Sequence, residues 1–144
     1  MGRNTLRLEL GGFKELITKL DSLQGDVKKA VTDSLEQAGE TIEYDTLEAV
    51  EQSNLPAQGI YSKGDTKKSV VRNPKVEWVG TVGSIGVGFD YSKPGAGGIL
   101  ITGTPRMKPD AQLQKIYKRK KYMQQIQADI ADVINDYIQE KMGD

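Results

Sequence analysis

The chain has 144 residues, of which 37% are hydrophobic and 28% charged, enough for one domain with its own core. It contains no cysteine and no histidine, which excludes disulfides and thiolate chemistry and removes the commonest proton-transfer group near neutral pH. Lysine plus arginine equals aspartate plus glutamate at 20 each, so no net charge attracts nucleic acid or anionic lipid. We expect a single domain over residues 1–144 that is not an enzyme and holds no metal or cofactor.

The hydropathy of the chain predicts no contact with a membrane. No segment approaches the roughly 20 consecutive apolar residues of a membrane span. The first ten residues lack the apolar centre of a signal peptide. We expect a soluble protein that is not exported by the general secretory route.

The first quarter of the chain predicts a strand followed by two helices. Leu6, Leu8 and Leu10 alternate with charged residues, which predicts a half-buried strand over residues 5–10. Apolar residues then recur at helical spacing over residues 13–23, until Gly25 interrupts the pattern. Asp26 is expected to cap a longer helix over residues 27–52.

The long helix carries an apolar stripe and, beside it, an unusual run of carboxylates. The stripe consists of Val27, Ala30, Val31, Leu35, Ala38, Ile42 and Ala49. No lysine or arginine occurs over residues 30–62, whereas Asp33, Glu36, Glu40 and Glu43 step by three and four and form a continuous acidic ridge. The ordinary interpretation of a charge run is a solvated helix face. Because the ridge lacks compensating lysines, a role outside the helix is the competing interpretation.

The middle of the chain predicts strands connected by loops. Residues 53–65 are expected to form a loop, and strands are expected over residues 66–72, 76–79, 82–89 and 99–102, with a turn at Asn73 and Pro74. In the strand over residues 82–89, Ile85 and Val87 alternate with glycines, so a helix or a neighbouring subunit is expected to cover the glycine face. These glycines lack the GxxxxGK[ST] pattern of a phosphate loop.

The last strand leads into a stiff connection and a helical C-terminal third. We call the connection the crossover turn; it contains Gly103, Thr104, Pro105 and Pro109. A helix over residues 110–142 follows, with a weak point near Lys120. The apolar residues of its second half are Met123, Ile126, Ile130, Val133, Ile134, Tyr137, Ile138 and Met142. The cations at its start form the basic segment: Lys115, Lys118, Arg119, Lys120 and Lys121.

The two charged surfaces admit several interpretations. Either could be a solvated helix face. The basic segment, with Tyr117 and Tyr122 interleaved, could contact phosphates and stack on bases. The acidic ridge has no second carboxylate cluster to complete a metal site. Opposite charges on separate elements of one chain also suit a head-to-tail contact between subunits, which closes into a ring when repeated.

These elements together predict an α+β fold. We expect an antiparallel sheet of about four strands, packed by a long N-terminal helix and a long C-terminal helix.

The order of four short motifs resembles a family of small tail-component proteins of long-tailed bacteriophages of the Hong Kong 97 type, also described as neck or tail-completion proteins. The motifs are GFKEL at residues 12–16, Asn54-Leu55-Pro56 after the long helix, GDTKKSV at residues 64–70, and the crossover turn. The third motif lacks the family's usual leucine, and Pro109-Asp110-Ala111 replaces its usual Pro-Phe-Leu.

The resemblance implies a structural protein of the virion, made in the bacterial cytoplasm and placed in the neck or tail. Such a protein joins head to tail, or completes or terminates the tail, as a homo-oligomeric ring, with a hexamer as one candidate size. Its partners are other neck and tail proteins, and DNA is only passing cargo. In such a ring the acidic ridge faces either the DNA channel or the neighbour's basic segment. The alternative function is a small nucleic-acid-binding protein that uses the basic segment.

Overall fold

A computed structural model describes residues 6–10, 24–56, 59, 62–80, 82–105 and 108–142. Its elements in chain order are β1 (Leu6–Leu10), α1 (Gln24–Glu51), α2 (Lys63–Ser69), β2 (Glu77–Val79), β3 (Val82–Val87), α3 (Gly97–Thr102), α4 (Ala111–Tyr117) and α5 (Lys120–Met142). The fold is α+β with a long N-terminal and a long C-terminal helix, as predicted. None of the helices in the described residues is both long and apolar enough to span a membrane.

The sheet is antiparallel and has the strand order β1-β3-β2. Leu8 lies opposite Ile85, and Trp78 lies opposite Gly83. An isolated bridge between Val70 and Phe89 continues the pairing beyond β3. The predicted strands over residues 5–10, 76–79 and 82–89 are confirmed as elements, with the shorter bounds of β1, β2 and β3. The described residues form three strands rather than about four.

The predicted strand over residues 66–72 is wrong, because residues 66–69 belong to helix α2. Ser62 caps the helix by accepting a hydrogen bond from the backbone of Asp65 at 3.0 Å. Ser62, Thr66, Ser69 and Val70 are buried, and their spacing of three and four is that of one helix face. The buried hydroxyl of Thr66 accepts from the backbone nitrogen of Ala96 at 2.8 Å, which ties α2 to the start of α3.

The predicted strand over residues 99–102 is also wrong, since these residues belong to helix α3. A short apolar run fits a buried helix as well as a buried strand. Gly97 lets the first turn pack directly on the ring of Phe89, where any Cβ would collide with the ring. Leu100 and Ile101 are buried, and Gly103 ends the helix with a φ of 75°.

Helix α1 begins at Gln24, earlier than predicted. Gly25 therefore lies inside the helix. The prediction of Asp26 as the N-cap is wrong, because Asp26 lies within the first turns. One glycine costs a helix only about 1 kcal/mol, which the packing of a long helix offsets. The predicted helix over residues 13–23 lies outside the described residues.

The core lies between α1, the sheet and α5. The predicted stripe of α1 is buried from Ala30 to Ala49, and Ile126, Ile130 and Ile134 of α5 are buried as predicted. At Gly39, α1 approaches so closely that a Cβ would lie 2.8 Å from the ring of Pro74 and 2.9 Å from Ile85. Helix α1 thus contacts β3 on the face that carries Ile85. The expectation was that a covering helix would lie on the opposite face, which carries the glycines.

The C-terminal third is helical and interrupted where predicted. Asp110 caps α4 by accepting from the backbone of Leu113 at 3.0 Å. Helix α4 ends at Tyr117 and α5 begins at Lys120, so the weak point near Lys120 is confirmed. The basic segment therefore spans the end of one helix, a short break and the first turn of the next.

Candidate interaction surfaces

The acidic ridge is divided into two exposed and two half-buried carboxylates. Asp33 and Glu40 are exposed. Glu43 accepts a hydrogen bond from the backbone nitrogen of Asn73 at 2.7 Å, and Glu36 accepts a long one from Val76 at 3.4 Å. Glu36 and Glu43 thus hold the turn before β2, and Asp33 and Glu40 are the ridge members open to a partner.

The exposed face of α1 continues beyond the ridge to the end of the helix. Tyr44, which follows Glu40 by one turn, is 68% exposed, and Glu48 is exposed one turn later. Glu51 forms an ion pair with Lys67 of α2 at 2.7 Å. The hydrogen bond from Lys67 lowers the pKa of Glu51 below its usual range. Both partners are substantially exposed, so this pair adds little stability.

All five cations of the basic segment are exposed. None of them forms an ion pair or a side-chain hydrogen bond with another described residue. Of the seven carboxylates over residues 33–51, only Glu51 has a cationic partner within the described part of the chain. Both signs of charge are therefore exposed at high local density, and ion pairs among the described residues do not neutralise them apart from Glu51 with Lys67.

The two tyrosines of the basic segment anchor it to α1. The hydroxyl groups of Tyr117 and Thr46 lie 2.7 Å apart, and Tyr122 donates to a carboxylate oxygen of Asp45 at 2.6 Å. The main effect is burial of the side chains, which raises the pKa of both tyrosines well above its usual value. The ring of Tyr117 also lies 6.4 Å from that of Phe89. These contacts give both rings a structural role, which weakens the interpretation of Tyr117 and Tyr122 as stacking platforms for bases.

Carboxylates of α1 lie beside the start of the basic segment at a cleft of about 300 Å³. Its wall includes Asp45 and Glu48 from α1, Lys115 from α4 and Tyr122 from α5, over a floor of Ala49 and Ile116. Asp33 and Glu40 do not line this cleft. The structure therefore brings the start of the basic segment beside the C-terminal half of α1 and leaves the exposed ridge members apart from it.

The crossover turn is held at both ends. The backbone nitrogen of Asp110 donates to the carbonyl of Leu100 at 2.6 Å, and the side-chain amide of Gln114 donates to the carbonyl of Ile101 at 3.0 Å. Thr104, Pro105 and Pro109 are exposed. A second cleft, here called the crossover cleft, has a volume of about 320 Å³. Its lining residues are Asn54, Leu55, Leu100, Lys108, Pro109, Asp110 and Ala111.

The hairpin of β2 and β3 presents an exposed apolar tip that the sequence analysis did not single out. Val79 and Val82 lie opposite each other and are 79% and 38% exposed. Lys28 donates to the carbonyl of Gly80 at 3.2 Å and lies 5.1 Å from the Trp78 ring centre. The sequence pattern places both valines in strands. It does not show that their side chains face solvent at the end of a hairpin.

No group of three or more acidic side chains among the described residues is arranged to hold a metal ion. No protein-family model matches the chain, and no curated protein or solved structure matches it either.

Proposed function

We propose that this protein is a structural subunit of a bacteriophage, or of a prophage-derived tail, that joins head to tail or completes the tail. It acts by repeated contacts between its own copies, which build a ring around the DNA channel. The observation that supports self-association best is the pair of exposed, oppositely charged surfaces whose members lack cationic or acidic partners within the described chain. The phage role follows from the resemblance in the order of the motifs.

The contact pairs Asp33 and Glu40 of one copy with the basic segment of the next. Repulsion between neighbouring carboxylates on the ridge destabilises the isolated helix by a few tenths of a kcal/mol per pair. A cationic partner replaces that repulsion with attraction. Side chains that face solvent in the monomer lose water on contact, which strengthens the attraction between unlike charges. Tyr44, one turn from Glu40, offers an aromatic face to the same cations.

A charge reversal tests the contact. Asp33→Lys with Glu40→Lys should abolish concentration-dependent association, measured by sedimentation at low salt, and leave the unfolding midpoint of the monomer nearly unchanged. The matched control is Asp132→Lys with Asp136→Lys, which makes the same charge change at exposed positions of α5. If both pairs impaired association equally, net charge rather than this contact would be responsible.

A genetic experiment tests the phage role. Deleting the coding sequence from the phage should leave heads and tails that fail to join, or tails that are incomplete, when lysates are viewed by electron microscopy. The unchanged protein supplied from a plasmid should restore infectious particles, and Asp33→Lys with Glu40→Lys should not. Normal particles from the deletion would contradict the proposal.

Nucleic-acid binding is the second candidate, and the five exposed cations of the basic segment favour it. It predicts retention of the purified protein on DNA with a steep salt dependence. Lys118→Glu with Arg119→Glu would remove that retention. Association that grows with protein concentration in the absence of DNA favours the structural role instead.

A further inference from the structure

The hairpin tip is an apolar projection held in a fixed position. Val79 is more exposed than any other large apolar side chain in the described residues. A single exposed valine needs no explanation, but here two β-branched residues face each other across the end of a hairpin. The indole nitrogen of Trp78 donates to the hydroxyl of Thr32 at 3.0 Å, and Lys28 holds Gly80. The β2 side of the tip is thus fastened to α1 by two contacts, and its valines lose little freedom if they are buried in a contact.

The crossover cleft is an apolar depression of a size that accepts such a projection. Leu55, Leu100, Pro109 and Ala111 supply its apolar wall, and Leu100 is almost completely buried at its base. Its volume of about 320 Å³ exceeds that of a valine side chain several times over. Pro109 lies in a conformation fixed by its own ring, so the rim is preformed.

The projection and the cleft lie at opposite ends of the molecule. Lys28 and Thr32, which hold the hairpin tip, belong to the first turns of α1, whereas Asn54 and Leu55 follow its last residue. Roughly 35 Å of helix separates Lys28 from Glu51. The tip therefore cannot enter the cleft of its own chain, and a contact between the two sites must join different copies.

We propose that the Val79–Val82 hairpin tip of one copy inserts into the crossover cleft of the next. This contact rests on the proposed self-association and names its apolar anchor. Two different sites at opposite ends make a head-to-tail contact, which propagates into a ring or a filament. The rim of the cleft carries one charge of each sign, Lys108 and Asp110, so the charge complementarity of this pairing comes from the acidic ridge and the basic segment.

The same orientation serves the charged contact. Asp33 lies one to two turns from Lys28, near the hairpin end of the molecule. Ala111 of the cleft begins the helix that ends beside the basic segment. Inserting the tip into the cleft therefore brings Asp33 of one copy towards the basic segment of its neighbour. Two valines bury too little area for a stable interface alone, so the apolar anchor and the charged surfaces act together.

Cysteine pairing tests the contact, because the chain has no cysteine of its own. Val79→Cys protein mixed with Ala111→Cys protein should form a mixed disulfide under mild oxidation, detected by mass after tagging one partner. The matched control replaces Ala111→Cys with Ala131→Cys, an exposed alanine in α5, and should give far less product. Separately, Val79→Ser should weaken association of the cysteine-free protein about tenfold.

Four results overturn the proposal. Equal yields from the two mixtures indicate random collision. A predominant Val79→Cys homodisulfide means that the hairpins meet each other across a two-fold axis. If the measured mass shows association but no mixed disulfide forms, the insertion of the tip into the cleft is wrong and self-association still holds. If the protein is a monomer at every protein and salt concentration, both the insertion and self-association are wrong.

Discussion

At the scale of single residues, the two tyrosines of the basic segment show how a polar contact can reverse an interpretation made from spacing. Their alternation with lysines suggested a surface for stacking bases. The hydroxyl groups instead reach back to Thr46 and Asp45 of α1. Those partners are 71 and 77 residues away in sequence, and no local pattern links residues at such a distance. The positive charge of the segment was predictable, but the use of its aromatic rings was not.

The half-buried Tyr117 and Tyr122 predict a loss of stability at high pH. The unfolded chain ionises its tyrosines near pH ~10. Burial raises the pKa of Tyr117 and Tyr122 in the folded state, so the folded protein binds more protons in this range. Their contribution is complete below pH ~10 and is lost as the pH rises above it. Urea unfolding between about pH 8 and about pH 11 should show a fall in stability that Tyr117→Phe with Tyr122→Phe reduces.

The exposed Tyr44 supplies the control for this titration. Tyr44→Phe removes the same hydroxyl group from a side chain that is 68% exposed, and the double variant is compared with it. An equally steep fall in the double variant would show that groups other than Tyr117 and Tyr122 cause the alkaline loss.

At the scale of elements, the sequence identifies long amphipathic helices well and short apolar segments poorly. Helix α1 has seven or more turns in which the apolar spacing repeats, so its existence and buried face were predictable. Helices α2 and α3 have 7 and 6 residues. Segments this short do not distinguish the apolar spacing of a helix from that of a strand. What selects helix there is tertiary: the Ser62 cap, the contact of Thr66 with Ala96, and the Phe89 ring beneath Gly97.

Three glycine substitutions test this tertiary selection. Gly97→Ala and Gly39→Ala should each destabilise the protein by about 1–3 kcal/mol, because the new methyl group collides with Phe89 or with Pro74 and Ile85. Gly64→Ala in α2 meets nothing within 4 Å and should stabilise it by up to about 1 kcal/mol. Urea unfolding of the three variants measures the differences, and a stabilising Gly39→Ala would contradict the close approach of α1 to the sheet.

The crossover turn is the element whose rigidity matters most for assembly. Pro105 and Pro109 are exposed, so replacing both with alanine should cost the fold only about 1 kcal/mol, through the entropy of the unfolded chain. Association should weaken by a larger factor, because Pro109 forms part of the crossover cleft. Sedimentation at several concentrations, set beside urea unfolding, separates the two effects. An unfolding loss without any change in association would count against a role for the turn in assembly.

At the scale of the whole molecule, the order of the predicted elements indicated an α+β domain with segregated charge, and the structure refines where that charge is available. The sequence presented Asp33, Glu36, Glu40 and Glu43 as one ridge. The fold assigns Glu36 and Glu43 to the turn before β2, because the backbone nitrogens of that turn need acceptors. Helical spacing alone cannot foresee this division, since the partners come from a loop that only the folded chain brings alongside α1.

Charge reversal on both surfaces gives the sharpest test of how copies meet. Asp33→Lys with Glu40→Lys makes the two exposed members of the acidic ridge basic, and Lys118→Glu, Arg119→Glu, Lys120→Glu and Lys121→Glu together make the basic segment acidic. Each variant alone faces like charges at every contact and should remain monomeric at low salt.

An equimolar mixture restores opposite charges at every contact when the two variants alternate. Native mass spectrometry should then show assemblies of more than two chains, as a head-to-tail contact requires. A mixture that stops at the dimer would instead indicate a reciprocal two-fold contact, and a mixture that stays monomeric would exclude these charges as the interface.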